Sequence, residues 1–163
     1  MPRASMAPAQ AKPIRIGYTM SATGPYAVGA GITQAPNYTL WQDRVNAQGG
    51  LAVKGEGRRP IEFVTIDDRS EIETTVRFYE KLATDDKVDL LLPPWGSAMN
   101  FAIAPVAGKY GYPMIGPTAI SGKFKELAPQ LPYFYTMLVQ PAPQMQAVAA
   151  MLKELRDQGK VKK

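Results

Sequence analysis

The stretch VDLLLPPWGSAMNFAIAPVAGKYGYPMIGP, residues 88–117, decides the fold. Residues 88–92 are continuously apolar apart from Asp89, which predicts a parallel strand buried on both faces. Pro93 and Pro94 cannot continue it, because a proline has no N–H for the ladder. Ser97 is a natural cap for the helix predicted over residues 98–110, which contains Pro105. A short strand follows at 113–115. Strand, helix and strand in close succession make the unit of a parallel sheet.

The same alternation extends outward. Residues 14–20 form an apolar strand, followed by a glycine-rich loop over 21–31, SATGPYAVGAG. Helical spacing runs over 32–48, with Pro36 kinking it or lying in an irregular first turn. Gly49 and Gly50 end that helix. Residues 61–66 alternate and are rich in β-branched side chains, a second strand. Ser70 with Glu73 has the form of a capping box, and Ile72, Val76, Tyr79 and Ala83 mark the buried face of the next helix. A fifth strand is predicted at 133–136. A last helix follows at 142–158, with Val148, Met151, Leu152 and Leu155 along one side. This order predicts an α/β, doubly wound, mostly parallel sheet of flavodoxin-like strand order. Such sheets bind ligands beyond the carboxyl ends of their strands. The loops that matter are therefore 21–31, 93–97 and 116–122.

Composition removes several classes of function. The 163 residues include no cysteine and no histidine. Ser-His-Asp and Cys-His nucleophile systems and the usual zinc sites are thereby excluded. The net charge of +5 is concentrated toward the two ends, in Arg3, Lys12 and Arg15 and in Lys160, Lys162 and Lys163. A nucleic-acid surface would need a clustered basic stripe on a folded face, so nucleic acid is not expected as a partner. No apolar run is long enough for a membrane-spanning helix.

Three motifs invite chemistry and lose it on inspection. GAGITQ lacks the third glycine of a dinucleotide fingerprint, and the nearest acidic candidate is Asp67. Asp67-Asp68 resembles a phospho-acceptor pair but sits at the wrong strand, and reads as a loop carboxylate pair near a helix start. Ser97 in GSAMN has no histidine base, so a nucleophilic role gives way to a helix-capping one. Cofactor and metal sites are not expected. The capping role is compatible with anion binding, since a helix N-terminus offers unpaired N–H groups. Trp95 beside it fits either a partly buried core residue or the wall of a cleft.

The ordered set of segments resembles the type I periplasmic binding proteins, the leucine/isoleucine/valine-binding family of ABC importers. IRIGYTMSATGPYAVGAG is similar to their first strand and its loop, and LWQDRVNAQGGL to a helix ending in Asn-Ala-x-Gly-Gly-Ile. IEFVTIDDRSEIETTVRFYEKLATDDKVDLLL and AIAPVAGKYGYPMIGPTA resemble the segments that follow, and the likeness runs from Ile14 to Lys163. It implies a non-enzymatic solute-binding protein, periplasmic, serving an ABC transporter permease. Family members carry two lobes that close on the ligand and are about twice this length. The implied division is a tail or signal-peptide remnant at 1–13, a lobe-one domain at 14–139, and a hinge crossing with the first helix of a truncated second lobe at 140–163. Ala9-Gln10-Ala11 has the small-x-small form of a signal-peptidase site.

By the same resemblance Ser97 matches the serine that holds the ligand's carboxylate, and Thr118 and Ala119 match the loop whose backbone helps it. Ile120 falls where amino-acid binders carry a threonine for the ammonium group. Trp95 and Tyr26 suggest an apolar or aromatic carboxylate, and Gly96 lets the chain approach it. The expected ligand-binding set is thus Tyr26, Trp95, Gly96, Ser97, Thr118, Ala119 and Ile120. Two rivals stand beside this reading. One is a ligand-free folded fragment that self-associates, as a homodimer, through its last helix. The other is an enzyme of flavodoxin-like architecture.

Overall fold

The computed structural model describes residues 12–138 and 141–161. The small-x-small motif at residues 9–11 and the predicted lobe boundary at 139–140 lie outside them. In chain order the elements are β1 (Ile14–Met20), α1 (Ala27–Thr33), α2 (Ala35–Ala47), β2 (Leu51–Val53), β3 (Gly57–Arg59), β4 (Ile61–Asp67) and α3 (Ile72–Thr84). They continue with β5 (Leu90–Leu91), α4 (Ser97–Tyr110), β6 (Met114–Gly116), α5 (Lys123–Leu127), a 3-10 turn (Ala128–Gln130), β7 (Phe134–Thr136) and α6 (Pro141–Asp157).

β1 is the central strand, with β4 on one side and β5 on the other, all parallel. The register sets Ile14 against Ile61 and Met20 against Asp67, so the two carboxyl ends finish level. β6 and β7 form a second parallel pair, with Met114 opposite Phe134. One face packs Ile14, Ile16 and Ile61 against Val45 of α2 and Phe63. The other packs α3 and α4 through Tyr79, Leu82, Ile103, Ala107 and Met114. Burial of each such large side chain contributes about 1.5–3 kcal/mol. Helices on both faces of parallel strands make this an α/β doubly wound fold, as the alternation predicted.

Several local expectations are corrected. The glycine-rich segment does not stay a loop to residue 31, because α1 forms within it. Its first turn closes through Ala27 N–H to Gly24 O and Ala30 N–H to Tyr26 O, at 3.1 and 2.9 Å. Pro36 lies in the first turn of α2, where its missing N–H is harmless. The β2–β3 hairpin was not anticipated; its turn is closed by Glu56 N–H to Val53 O. The capping box does not form: Glu71 is the cap residue of α3, and Ser70 stands outside it in the left-handed region. On α3, Thr75, Tyr79 and Leu82 are buried, whereas Ile72 is exposed.

The strand over 88–92 is not buried on both faces throughout, although Leu92 packs partly against Ile14, Ile16 and Ile61. Leu91 points into the α3–α4 core, and Leu90 on the opposite face is 43% exposed. Ile115 of β6 and Tyr135 of β7 are exposed as well. The apolar stripe of α6 is open too, with Met145, Val148, Met151 and Leu152 all exposed.

Candidate functional site

The site is built on the turn that leaves β5. Two prolines remove two N–H donors and leave carbonyls, each met by a buried donor. Leu92 O accepts from the Tyr79 hydroxyl at 2.5 Å, and Pro93 O from Gln34 Nε2 at 3.0 Å. Pro94 O accepts from Asn100 Nδ2 at 2.8 Å. Burial pushes the Tyr79 hydroxyl well above its ordinary pKa, which keeps it a donor. The stiff turn delivers Trp95, Gly96 and Ser97 to the carboxyl end of the sheet.

Gly96 adopts φ +83° and ψ 157°, a region essentially reserved for glycine. It is the cap residue of α4, which corrects the capping role given to Ser97; no side chain caps this helix. Ser97 is the first helical residue, and its hydroxyl does something else. Its Oγ accepts the Ile120 N–H at 3.1 Å, tying the loop after β6 to the start of α4. A hydroxyl that accepts still has its own hydrogen to donate. Thr118 makes a second tie, its Oγ1 accepting the Gly96 N–H at 3.0 Å.

The loop after β1 is held on the opposite side of the cleft. Asp67 accepts from Ala22 N–H, Thr23 N–H, Arg69 N–H and the Thr23 hydroxyl, at 2.7 to 3.2 Å. Burial works against its ionisation, but these donors outweigh it and hold its carboxyl below the ordinary range. Asp68 is fully buried and accepts from the Ser21 hydroxyl and the Ser70 N–H. The pair is thus a clasp for a loop. Among the described residues no cluster of three or more potential metal ligands occurs.

Between the two loops lies an open cavity of about 670 Å³. Of the expected residues, Tyr26, Trp95, Gly96, Ser97, Thr118 and Ile120 line it. Ala119 is fully buried and backs the loop without lining the cavity. The structure adds Thr33, Ala98, Pro117 and Leu138. Leu138 follows the carboxyl end of β7, where the strand-end rule could have found it. Thr33 lay in the predicted helix 32–48, just beyond the loop taken to matter, and no signal singled it out. No Asp, Glu, Lys or Arg is among the lining residues. Tyr26 and Trp95 stand ring against ring, with centroids 5.4 Å apart and planes at 46°.

The sequence matches the family model described as periplasmic binding protein over residues 13–163. Among solved structures, the chain is 29% identical to the branched-chain amino acid transporter substrate binding protein LivJ from Streptococcus pneumoniae, solved with isoleucine. The TM-score is 0.68, over 79% of this chain and 34% of that one. A putative branched-chain amino acid ABC transporter protein from Rhodospirillum rubrum is 25% identical, with a TM-score of 0.69 over 87% and 38% of the two chains. A solute binding protein of an ABC transporter from Rhodopseudomonas palustris, solved with benzoate, is 27% identical, with a TM-score of 0.59 over 76% and 32%. The chain therefore spans about a third of the length of the solved relatives it matches. Its strand order, its clasped cleft and the match from residue 13 onward agree: the chain belongs to the periplasmic binding protein family.

Proposed function

We propose that the cavity binds a small carboxylate-bearing solute with an apolar, preferably aromatic, body. In this reading the chain is the first lobe of an extracytoplasmic solute-binding protein that delivers to an ABC permease, with residues 140–163 leading toward a second lobe. The observation that carries it is the lining. It has no charged side chain, yet Ser97 and the uncapped start of α4 present a hydroxyl hydrogen and backbone N–H dipoles to it. That environment suits an anion and offers an ammonium group no carboxylate partner. Tyr26, Trp95, Ile120 and Leu138 supply apolar surface for the rest of the solute. The volume falls within the range of small-ligand sites. One similar protein was solved with benzoate and another with isoleucine. Ile120, whose N–H is already held by Ser97, favours the first of these chemistries here.

The test is ligand-observed NMR on the 163-residue chain with benzoate, cinnamate, isoleucine and succinate at millimolar concentration. Benzoate and cinnamate are expected to bind more tightly than isoleucine. Ser97→Ala should weaken them by about 1.5–3 kcal/mol, as befits a hydrogen bond to a charged group. Equal binding by wild type and Ser97→Ala would remove the carboxylate from this site. Binding by none of the four would remove the solute reading for the lone chain.

A second reading, self-association, is favoured by one observation. The α6 stripe and the sheet face of Leu90, Ile115 and Tyr135 are both apolar and exposed. Light scattering decides it: a molar mass at 17.8 kDa, that of one chain, eliminates the homodimer.

A further inference from the structure

We propose that Gly29 and Thr33, on the same face of α1, are a positioning pair that fixes the pose of the Trp95 indole, and that this pose makes the cavity select flat-ringed carboxylates over branched aliphatic ones. The selectivity half rests on the solute reading above; the indole pose does not.

The indole is constrained on three sides. At its polar tip, Trp95 Nε1–H donates to Thr33 Oγ1 at 2.8 Å. That hydroxyl donates in turn to Gly29 O at 2.7 Å, so its hydrogen is committed to the helix and a lone pair is held toward the indole. Beneath the ring lies Gly29. A Cβ added there would meet Trp95 Cη2 at 2.6 Å and Cε2 at 2.7 Å, with Cζ2 closer still. The indole therefore rests directly on the α1 backbone, in space that any other residue would occupy. Beside it stands the Tyr26 ring. Thr33 is exposed, and nothing in the core requires a hydroxyl there. Its hydroxyl donates along α1 to Gly29 O and accepts from the indole. Trp95 itself lines the cavity. An indole pinned in this way is a rigid flat wall, which offers a planar ring offset stacking and offers a branched chain little more than edge contact.

The experiment uses the full chain carrying Trp41→Phe. The sequence has two tryptophans, and Trp41 stacks on Phe63 of the sheet without lining the cavity, so Trp95 becomes the only indole reporter. Thr33→Val keeps the shape and removes the acceptor; Thr33→Ser keeps the acceptor; Gly29→Ala pushes the ring from below. The emission and acrylamide quenching of Trp95 are recorded, with NMR titrations of benzoate and 4-methylpentanoate.

Thr33→Val and Gly29→Ala are expected to shift the emission and to lower the benzoate-to-4-methylpentanoate affinity ratio by about fivefold, the scale of one aromatic contact. Thr33→Ser should restore both. Unchanged emission in Thr33→Val and Gly29→Ala overturns the positioning role. Shifted emission with an unchanged ratio overturns the selectivity. Equal weakening of both solutes with unchanged emission shows a merely structural pair and overturns the whole proposal. If wild type binds neither probe while the emission still responds, the solute reading and the selectivity fall and the indole pose stands. Thr33→Val is close to isosteric, so the test survives a Gly29→Ala chain that fails to fold.

Discussion

The two loops that rim the cavity are held by different means. The loop after β1 is clasped from beneath by Asp67, Asp68 and Ser70. Ser70 accepts the Tyr26 N–H and donates to Thr23 O. The clasp includes two consecutive non-glycine residues in the left-handed region, Arg69 and Ser70, whose N–H groups turn toward the two carboxylates. The loop after β6 is held by Ser97 and Thr118, and both of those side chains face the cavity. The first rim is therefore tied by groups that do not line the cavity, and the second by groups that do. Damage to the first should register as lost stability, and damage to the second as altered binding with a smaller stability change.

The largest expected effect tests the first half of that contrast. Asp68→Ala leaves the Ser21 hydroxyl and the Ser70 N–H without their acceptor in a buried setting, and should cost about 3 kcal/mol in urea denaturation. Asp68→Asn retains an acceptor oxygen and should lose distinctly less. If alanine and asparagine cost the same small amount, the clasp is not what orders the first rim. Next in size is Gly96→Ala on the second rim. Nothing lies within 4 Å of an added Cβ there, so the whole penalty is conformational, about 1–3 kcal/mol for leaving glycine's region. A smaller loss, with solute binding intact, would show that the turn reaches the same geometry by another route.

Much of this was legible in the residues, and the failures have physical causes. The expected strands and helices all form in order, with α1, α5 and the β2–β3 hairpin added, because apolar periodicity reports burial and burial fixes the layers. The prolines, Gly96 and Ser97 marked the right turn. What escaped was decided by contacts distant in sequence. The Ser70–Glu73 spacing is a fair capping box, but Ser70 is taken by the loop after β1, more than forty residues earlier. Ser97 looks like a cap until the left-handed Gly96 takes that position and the Ile120 N–H claims the hydroxyl. Glycines at 29 and 31 read as loop, yet they lie within α1, where Gly29 leaves room for the Trp95 ring. Leu90 is apolar yet exposed, because hydrophobicity does not say which neighbour covers a strand. Asn100, which donates to both Pro94 O and Gly96 O, carried no signal beyond being polar in an apolar helix.

The smallest expected effect separates the rims by pH. Asp67 has a folded-state pKa below its ordinary value of 3.8, despite some opposing desolvation, because four donors stabilise its ionised form. A carboxyl with a lowered folded pKa contributes stability that is fully present above the unfolded value and is lost as pH falls through the folded one. Asp67→Asn lacks this titration. The stability gap between wild type and Asp67→Asn should therefore be widest near neutral pH and should close as pH drops below about 4. Asp67 lies near the surface, so the change is modest and is read as a difference between two denaturation series. The second rim has no carboxylate in its ties: Ser97 and Thr118 hold it with hydroxyls. The gap between wild type and Ser97→Ala should stay flat across the same range, at about 1 kcal/mol for one hydrogen bond. A gap for Asp67→Asn that is equally flat would mean that its donors serve the protonated acid as well as the carboxylate. The two rims would then differ in the number of their ties and not in their chemistry.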